Sequence, residues 1–123
     1  MRLARETGST RFHIRDFEPG WIRINEQDYE TSILLTPEHL DTGLRAERLD
    51  ELSAADLQPA IDWEPEIILL GTGERQGFPA RELVRSLLSG GIGFEAMDTR
   101  AACRTFNLLL GEDRRVAAVL LLR

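Results

Sequence analysis

The segment from Leu69 to Pro79 reads LLGTGERQGFP, and its residue types could hold an anion. An apolar run ends in a glycine-rich loop, and a helical pattern follows the loop. Free N–H groups at a helix start favour negative charge, and an arginine can add a charge-assisted hydrogen bond. These residue types fit a small anionic ligand, such as a nucleotide, and the candidate ligand-binding residues here are Gly71, Thr72, Gly73 and Arg75.

A second group of candidate residues, Asp98 and Thr99, follows the next apolar segment of the chain. Ligands of open α/β sheets usually bind beyond the carboxyl ends of the strands. If both apolar segments are neighbouring parallel strands, Asp98 and Thr99 come to the same rim of the sheet as the glycine loop. The sequence thus predicts one candidate site from two separate segments.

The match to known nucleotide-binding motifs is incomplete. The glycines at 71, 73 and 77 read G-x-G-x-x-x-G, whereas the dinucleotide fingerprint is G-x-G-x-x-G. Asp98 follows Gly71 by 27 residues, while the ribose-binding acid usually follows by about 20. The chain has no lysine, which excludes a Walker A loop. The sequence therefore favours a sharp turn out of a buried strand at the glycines and a helix cap at Asp98, with the ligand site as the alternative.

The single cysteine and the two histidines offer little catalytic chemistry. With one cysteine besides His13 and His39, a Cys/His zinc site cannot be assembled. Cys103 shares a predicted helix face with Phe106 and Leu110, which favours a buried core residue over a reactive thiol. Both histidines are expected at the surface. We therefore predict no catalytic residues, no metal, no cofactor and no enzymatic activity, with thiol chemistry at Cys103 as a remote alternative.

Length and charge narrow the class of protein further. The chain has 123 residues, of which 42% are hydrophobic, and this favours a single domain over residues 1–123. The net charge of −6 argues against non-specific nucleic-acid binding. Because no apolar run reaches the length of a membrane helix and no secretory signal is visible, we expect a cytoplasmic protein without membrane insertion. Residues 1–11, rich in arginine, are expected to be a disordered terminus.

The pattern of apolar residues predicts an α/β fold with a largely parallel sheet. Residues 12–35 resemble a hairpin that ends at Ile33–Leu35 and forms an antiparallel N-terminal layer. Helices are expected over 54–62, with Ser53 and Asp56 as a capping box, over 79–89, and over 99–110. Strands are expected over 66–70, 92–97 and 116–122, with the last one central. In the second helix, Leu83, Val84, Leu87 and Leu88 are expected to face inward.

Two blocks of the sequence resemble a known family. They are Gly71-Thr72-Gly73, and Met97-Asp98-Thr99 together with Ala101-Ala102 and Thr105-Phe106-Asn107. The chain from about residue 12 to 122 is similar to a small bacterial and archaeal family of unknown function. That family includes the mitochondrial complex I assembly factor 3 and the adipogenesis-associated domain protein.

This resemblance implies a three-layer α/β fold with a mixed, mainly parallel central sheet, flanking helices and an N-terminal antiparallel β-layer. It implies no established catalytic activity and no cofactor. It favours a non-enzymatic protein-interaction domain that assists respiratory-complex assembly through a protein partner. A domain that binds a small anion or nucleotide with the Gly71–Pro79 loop is the alternative.

Overall fold

The computed structural model describes residues 11–123, so ten of the eleven residues predicted to be disordered lie outside it. Arg11 is described, and its guanidinium donates a hydrogen bond of 2.9 Å to the Asp113 carboxylate. The strands are β1 (Ile14–Glu18), β2 (Trp21–Ile24), β3 (Gln27–Tyr29), β4 (Ile33–Leu35), β5 (Leu40–Asp41), β6 (Ile67–Thr72), β7 (Gly93–Met97) and β8 (Val116–Leu121). The helices are α1 (Ala54–Asp62), α2 (Arg81–Ser89) and α3 (Thr99–Gly111), and a 3₁₀ turn covers Leu49–Glu51.

The central sheet has five strands in the order β5-β4-β8-β6-β7. Strands β8, β6 and β7 are parallel, while β4 and β5 add an antiparallel edge. All six residues of β8 are buried, because both faces of this strand are covered. The continuous apolar run VAAVLL predicted this central position, and the structure confirms it.

The N-terminal layer is a three-stranded antiparallel sheet in the order β1-β2-β3. The predicted hairpin is therefore correct for its first strands but wrong for Ile33–Leu35. That segment leaves the layer and pairs antiparallel with β8 in the central sheet. The reason is burial: all three residues of β4 are buried, as expected for a strand that is covered on both faces.

The molecule is a three-layer α/β fold, as the resemblance implied. One face of the central sheet packs against α3 and the β1–β3 layer, in a core that includes Phe106, Ile22 and Leu69. The opposite face packs against α1 and α2, in a core that includes Leu57 and Leu87. The central strands β6 and β8 separate the two cores and supply side chains to both.

The helices follow the predicted pattern with two corrections. Helix α1 has the predicted bounds, and the Ser53 N–H donates to the Asp56 carboxylate at 2.9 Å. Helix α2 begins at Arg81, so Pro79 does not lie in its first turn; Ala80, with an extended ψ of 142°, is the N-cap. Leu83 and Leu87 are buried, but Leu88 is 58% exposed and does not belong to the inward stripe. Val84 is half-buried, so the inward stripe of α2 is narrower than predicted and Leu88 lies outside it.

Candidate functional site

The predicted site segments meet at the carboxyl end of β6. The Thr99 N–H donates to the Gly73 carbonyl at 2.8 Å, and the Gly73 N–H donates to Thr99 Oγ1, also at 2.8 Å. The first residue of α3 is thus bonded reciprocally to the residue that follows β6. The glycine loop and the Asp98–Thr99 corner share one rim of the central sheet, as the parallel arrangement predicted.

The Thr99 hydroxyl joins three elements at this rim. Thr99 is fully buried, and its Oγ1 donates to the Leu121 carbonyl at 2.5 Å while it accepts the Gly73 N–H. Leu121 is the last residue of β8. A single side chain therefore ties the start of α3 to the ends of both central strands, and it satisfies two backbone groups that water does not reach.

Gly71 and Gly73 permit this close packing. A Cβ at Gly71 would lie 2.8 Å from Thr99 Oγ1, which is too close for a side chain. Gly73 has a φ of +104°, and a Cβ there would overlap the Arg123 carbonyl. The two glycines let α3 and the chain around Arg123 approach the strand ends, which is the turn interpretation of this motif.

Thr72 and Asp98 also direct their polar atoms inward, to the protein itself. Thr72 Oγ1 donates to the Arg75 carbonyl at 2.6 Å and accepts the Gly77 N–H at 3.1 Å, which closes the loop on itself. One Asp98 carboxylate oxygen accepts the Ala101 N–H at 2.9 Å, so Asp98 is the predicted N-cap of α3.

Five of the six candidate ligand-binding residues therefore come together, namely Gly71, Thr72, Gly73, Asp98 and Thr99. Arg75 lies on the exposed part of the loop. The backbone donors of Gly73 and Gly77 are already used within the protein, so an anion at this rim would have to compete with these bonds. Anion binding by the loop stays a prediction.

A groove of about 440 Å³ lies beside the loop. Its walls come from the 3₁₀ turn, the end of the loop and Arg123; the lining residues are Arg48, Leu49, Asp50, Leu52, Thr72, Phe78, Ala80 and Arg123. We call this surface the loop face. Phe78 is 85% exposed, a large apolar side chain directed to solvent. Phe78 is not among the residues predicted for the site, although an aromatic residue outside any helical or strand pattern was a usable signal.

Cys103 lies in the core, as predicted. It is 6% exposed on α3, and burial raises the pKa of its thiol to about 12, against the opposing effect of the Arg100 and Arg104 charges. The thiol is therefore neutral at physiological pH, which argues against a nucleophilic role. His13 and His39 are both exposed, as predicted.

Asn107 has a structural role that was not predicted from the sequence. Its Nδ2 donates to the Ile14 carbonyl at 2.7 Å, and its Oδ1 accepts the Ile14 N–H at 3.0 Å. The amide side chain thus pairs with β1 as a neighbouring strand would. A polar residue directly beside the apolar face of α3 was the available signal.

Two further observations on the described part of the chain concern membrane-spanning helices and metal sites. None of the helices within residues 11–123 is both long enough and apolar enough to cross a bilayer. Across the same residues, no three His, Cys, Asp or Glu side chains form a group that could hold a metal ion. The compartment of the protein stays a prediction.

Comparison with known proteins places the chain among relatives of similar size and fold. It is 26% identical over 122 residues to the "13 kDa major membrane protein" of Francisella tularensis, which covers 98% of this chain and 99% of that protein. The solution structure of a Bordetella pertussis protein, a Mth938-like domain, has a TM-score of 0.80 and 31% identity, and covers 99% of this chain and 92% of that one.

A third relative is larger. The chain is 42% identical over 65 residues to the NADH dehydrogenase [ubiquinone] 1 alpha subcomplex assembly factor 3 of Danio rerio. The match covers 53% of this chain but 35% of the assembly factor, so the chain spans about a third of that protein. The family described as protein of unknown function (DUF498/DUF598) matches residues 14–121, and this chain belongs to it.

Proposed function

We propose that the protein is a non-enzymatic interaction domain that assists the assembly of a respiratory complex. The observation that carries this proposal is the 42% identity to a protein named as an assembly factor. Because the matched segment is shorter than either protein, the identity does not establish the partner or the step of assembly. Both belong to the proposal.

The internal bonding of the rim supports binding over catalysis. The hydroxyls of Thr72 and Thr99 and one carboxylate oxygen of Asp98 are bonded to backbone groups. A general acid or base must reach a substrate proton, and a nucleophile needs a neighbouring base. These side chains hold the fold together at the rim, and they offer no such arrangement toward the solvent.

The loop face is the surface that we propose for the partner. Phe78 presents an apolar ring to solvent beside a groove that includes the half-buried Leu49 and Leu52. Exposed aromatic residues are frequent anchors of protein interfaces, because one ring buries a large apolar area at low entropic cost. Arg48 and Arg123 flank the groove beside Asp50, and Arg123 is paired with Glu47 at 3.4 Å, so the apolar side chains carry the proposed contact.

The test compares Phe78→Asp with Leu108→Asp in the native organism. Leu108 is 62% exposed on α3, across the central sheet from the loop face, so it is a matched control. We expect tagged wild-type protein and the Leu108 variant to co-purify with respiratory NADH dehydrogenase subunits, and the Phe78 variant to lose them. Both variants keep the wild-type unfolding midpoint, because both side chains are largely exposed.

A second measurement ties the interaction to assembly. We expect deletion of the gene to reduce the amount of intact NADH dehydrogenase complex on native gels, with rescue by Leu108→Asp and not by Phe78→Asp. Recovery of no respiratory subunit with the wild-type protein, together with an unchanged complex after deletion, would remove the proposed function. Equal recovery by both variants would remove the loop face as the interface.

A further inference from the structure

A cavity of about 240 Å³ lies between β1 and the first two turns of α3, and we call it the β1–α3 pocket. It belongs to the side of the central sheet opposite α1 and α2, so it is separate from the loop face. Its lining includes three arginines, Arg15, Arg100 and Arg104, and one acid, Asp16. The chain has a net charge of −6, whereas the side chains that line this pocket carry more positive than negative charge.

Helix geometry accounts for two of the arginines. Arg100 and Arg104 are four residues apart on α3 and therefore lie on one side of the helix. Both charges act on the Cys103 thiol, which also lines the pocket and which they favour in its ionised form. Two like charges at this spacing destabilise a helix, and Glu18, which lies 3.4 Å from Arg100, compensates only one of them.

A β-bulge delivers the third arginine. The pairing of β1 with β2 shifts from Ile14↔Ile24 to Asp16↔Arg23, so Arg15 is the extra residue. Arg15 and Asp16 are both exposed, between the buried Ile14 and Phe17. A bulge interrupts strand alternation and re-aims a side chain, and bulges are frequent beside binding sites. The Asn107 amide holds Ile14 against α3, which keeps the bulge beside the helix.

The carboxylates near the pocket offset its positive charge only in part. Glu18 approaches Arg100 at 3.4 Å, where both side chains are about half exposed. The Asp16 carboxylate accepts the Phe17 N–H at 2.8 Å. Along residues 11–123, neither Arg15 nor Arg104 has a carboxylate within 4.0 Å. Two guanidinium groups of the pocket thus remain free of such a partner in the described chain.

We propose that the β1–α3 pocket binds a small organic anion through its phosphate or carboxylate group, with Arg15 and Arg104 as the ligand-binding residues. A guanidinium presents paired N–H donors that match the oxygens of either group. Arg100 lies over the Phe17 ring at 5.5 Å at the edge of the pocket, where it is paired with Glu18. The Phe17 and Ile14 side chains form an apolar wall for the carbon part of the ligand.

The test is a titration of ¹⁵N-labelled protein, followed by backbone amide shifts in NMR spectra. Inorganic phosphate and succinate are the two probes, and sodium chloride at matched ionic strength is the reference. We expect saturable shifts confined to the amides of β1 and of the first turns of α3. Saturation with phosphate alone or with succinate alone identifies the anionic group, and either result supports the pocket.

Matched variants locate the binding site. We expect R15A/R104A to weaken binding at least about tenfold, because two charge-assisted contacts are lost. R75A, which removes an exposed arginine of the glycine loop, should bind as the wild type does. R15K/R104K keeps the charges without the paired donors, so its affinity for the anion should lie between that of R15A/R104A and that of the wild type.

Three results would overturn the proposal. The first is the absence of any saturable shift with both probes, and the second is unchanged binding by R15A/R104A. Shifts centred on the loop and abolished by R75A would move the anion to the Gly71–Pro79 loop and would also overturn it. Phe78→Asp should leave these titrations unchanged, so the outcome does not depend on the proposed partner.

Discussion

At the residue scale, the buried Thr99 hydroxyl has the largest consequences for the rim. It links α3 to the ends of β6 and β8 through the Gly73 N–H and the Leu121 carbonyl. Loss of the hydroxyl leaves both backbone groups buried without a partner. Each unsatisfied group costs about 1–3 kcal/mol, so loss of this one hydroxyl should lower the stability of the fold through two backbone groups at once.

We expect Thr99→Val to lower the free energy of unfolding by about 2–4 kcal/mol, since valine keeps the shape and removes the hydrogen bonds. Thr99→Ser keeps the hydroxyl and loses one methyl group, which should cost about 1 kcal/mol. Urea denaturation measures both. Equal losses for the two variants would show that packing, and not hydrogen bonding, is the contribution of Thr99.

We expect the buried Cys103 thiol to lower the stability of the fold at alkaline pH. Burial raises the pKa of its thiol from 9.0 to about 12, so the unfolded chain releases this proton first as the pH rises. The contribution to stability is complete below pH 9 and falls between pH 9 and about 12, with a slope of at most about 1.4 kcal/mol per pH unit.

The measurement is urea denaturation at several pH values above 8, for the wild type and for Cys103→Ala. The variant is less stable overall because it leaves a small cavity, but its decline with pH should be shallower. Parallel pH profiles would contradict the assigned pKa. A thiol-specific alkylating reagent provides a check, because it should modify the native protein slowly and the unfolded protein rapidly.

At the element scale, α3 connects the two sheets. Its apolar residues, such as Phe106 and Leu110, fill the core between the central sheet and the β1–β3 layer. The Asn107 amide then pairs with the Ile14 backbone and replaces a strand at the edge of β1. The N-terminal layer is therefore attached by an apolar contact surface, by this pair of hydrogen bonds, by the Gly20 N–H that donates to the Leu122 carbonyl, and by the Arg100–Glu18 pair.

We expect Asn107→Ala to loosen the β1–β3 layer and to leave the central sheet in place. The variant leaves the Ile14 N–H and carbonyl without these partners, a loss of about 1–3 kcal/mol. Hydrogen exchange should become faster in β1 and β2 and stay slow in β6 and β8. Leu108→Ala, an exposed neighbour on the same helix, should change neither rate. Equally faster hydrogen exchange in both sheets would contradict a local role of the Asn107 hydrogen bonds.

At the scale of the whole molecule, the two cores are coupled through β6 and β8. Leu69 packs on the α3 side, while Ile68 and Leu70 pack on the α1–α2 side. Because one strand supplies both cores, loss of either core exposes the strand that the other requires. This arrangement predicts that residues 11–123 unfold as one cooperative unit, as small single domains usually do.

Two tryptophans allow this prediction to be tested. Trp21 lies in β2, in the N-terminal layer, and Trp63 packs against the core on the α1–α2 side. We expect Trp21→Phe and Trp63→Phe, each with one remaining fluorophore, to unfold with matching fluorescence and circular-dichroism midpoints. A separate fluorescence transition for the N-terminal layer would show that the layers unfold independently.

The sequence by itself determined the order of helices and strands from Ala54 to Leu121, the central position of Val116–Leu121 and the Asp98 cap, because burial pattern and cap chemistry are local. It also placed the glycine loop and Asp98 at one rim, since parallel strands end on the same side. Tertiary structure decided the rest. Ile33–Leu35 joined the central sheet, since only the packed fold offers β8 as a partner. Arg15 joined Arg100 and Arg104 for the same reason: the contact between β1 and α3 joins residues far apart in the chain, and no local pattern encodes it.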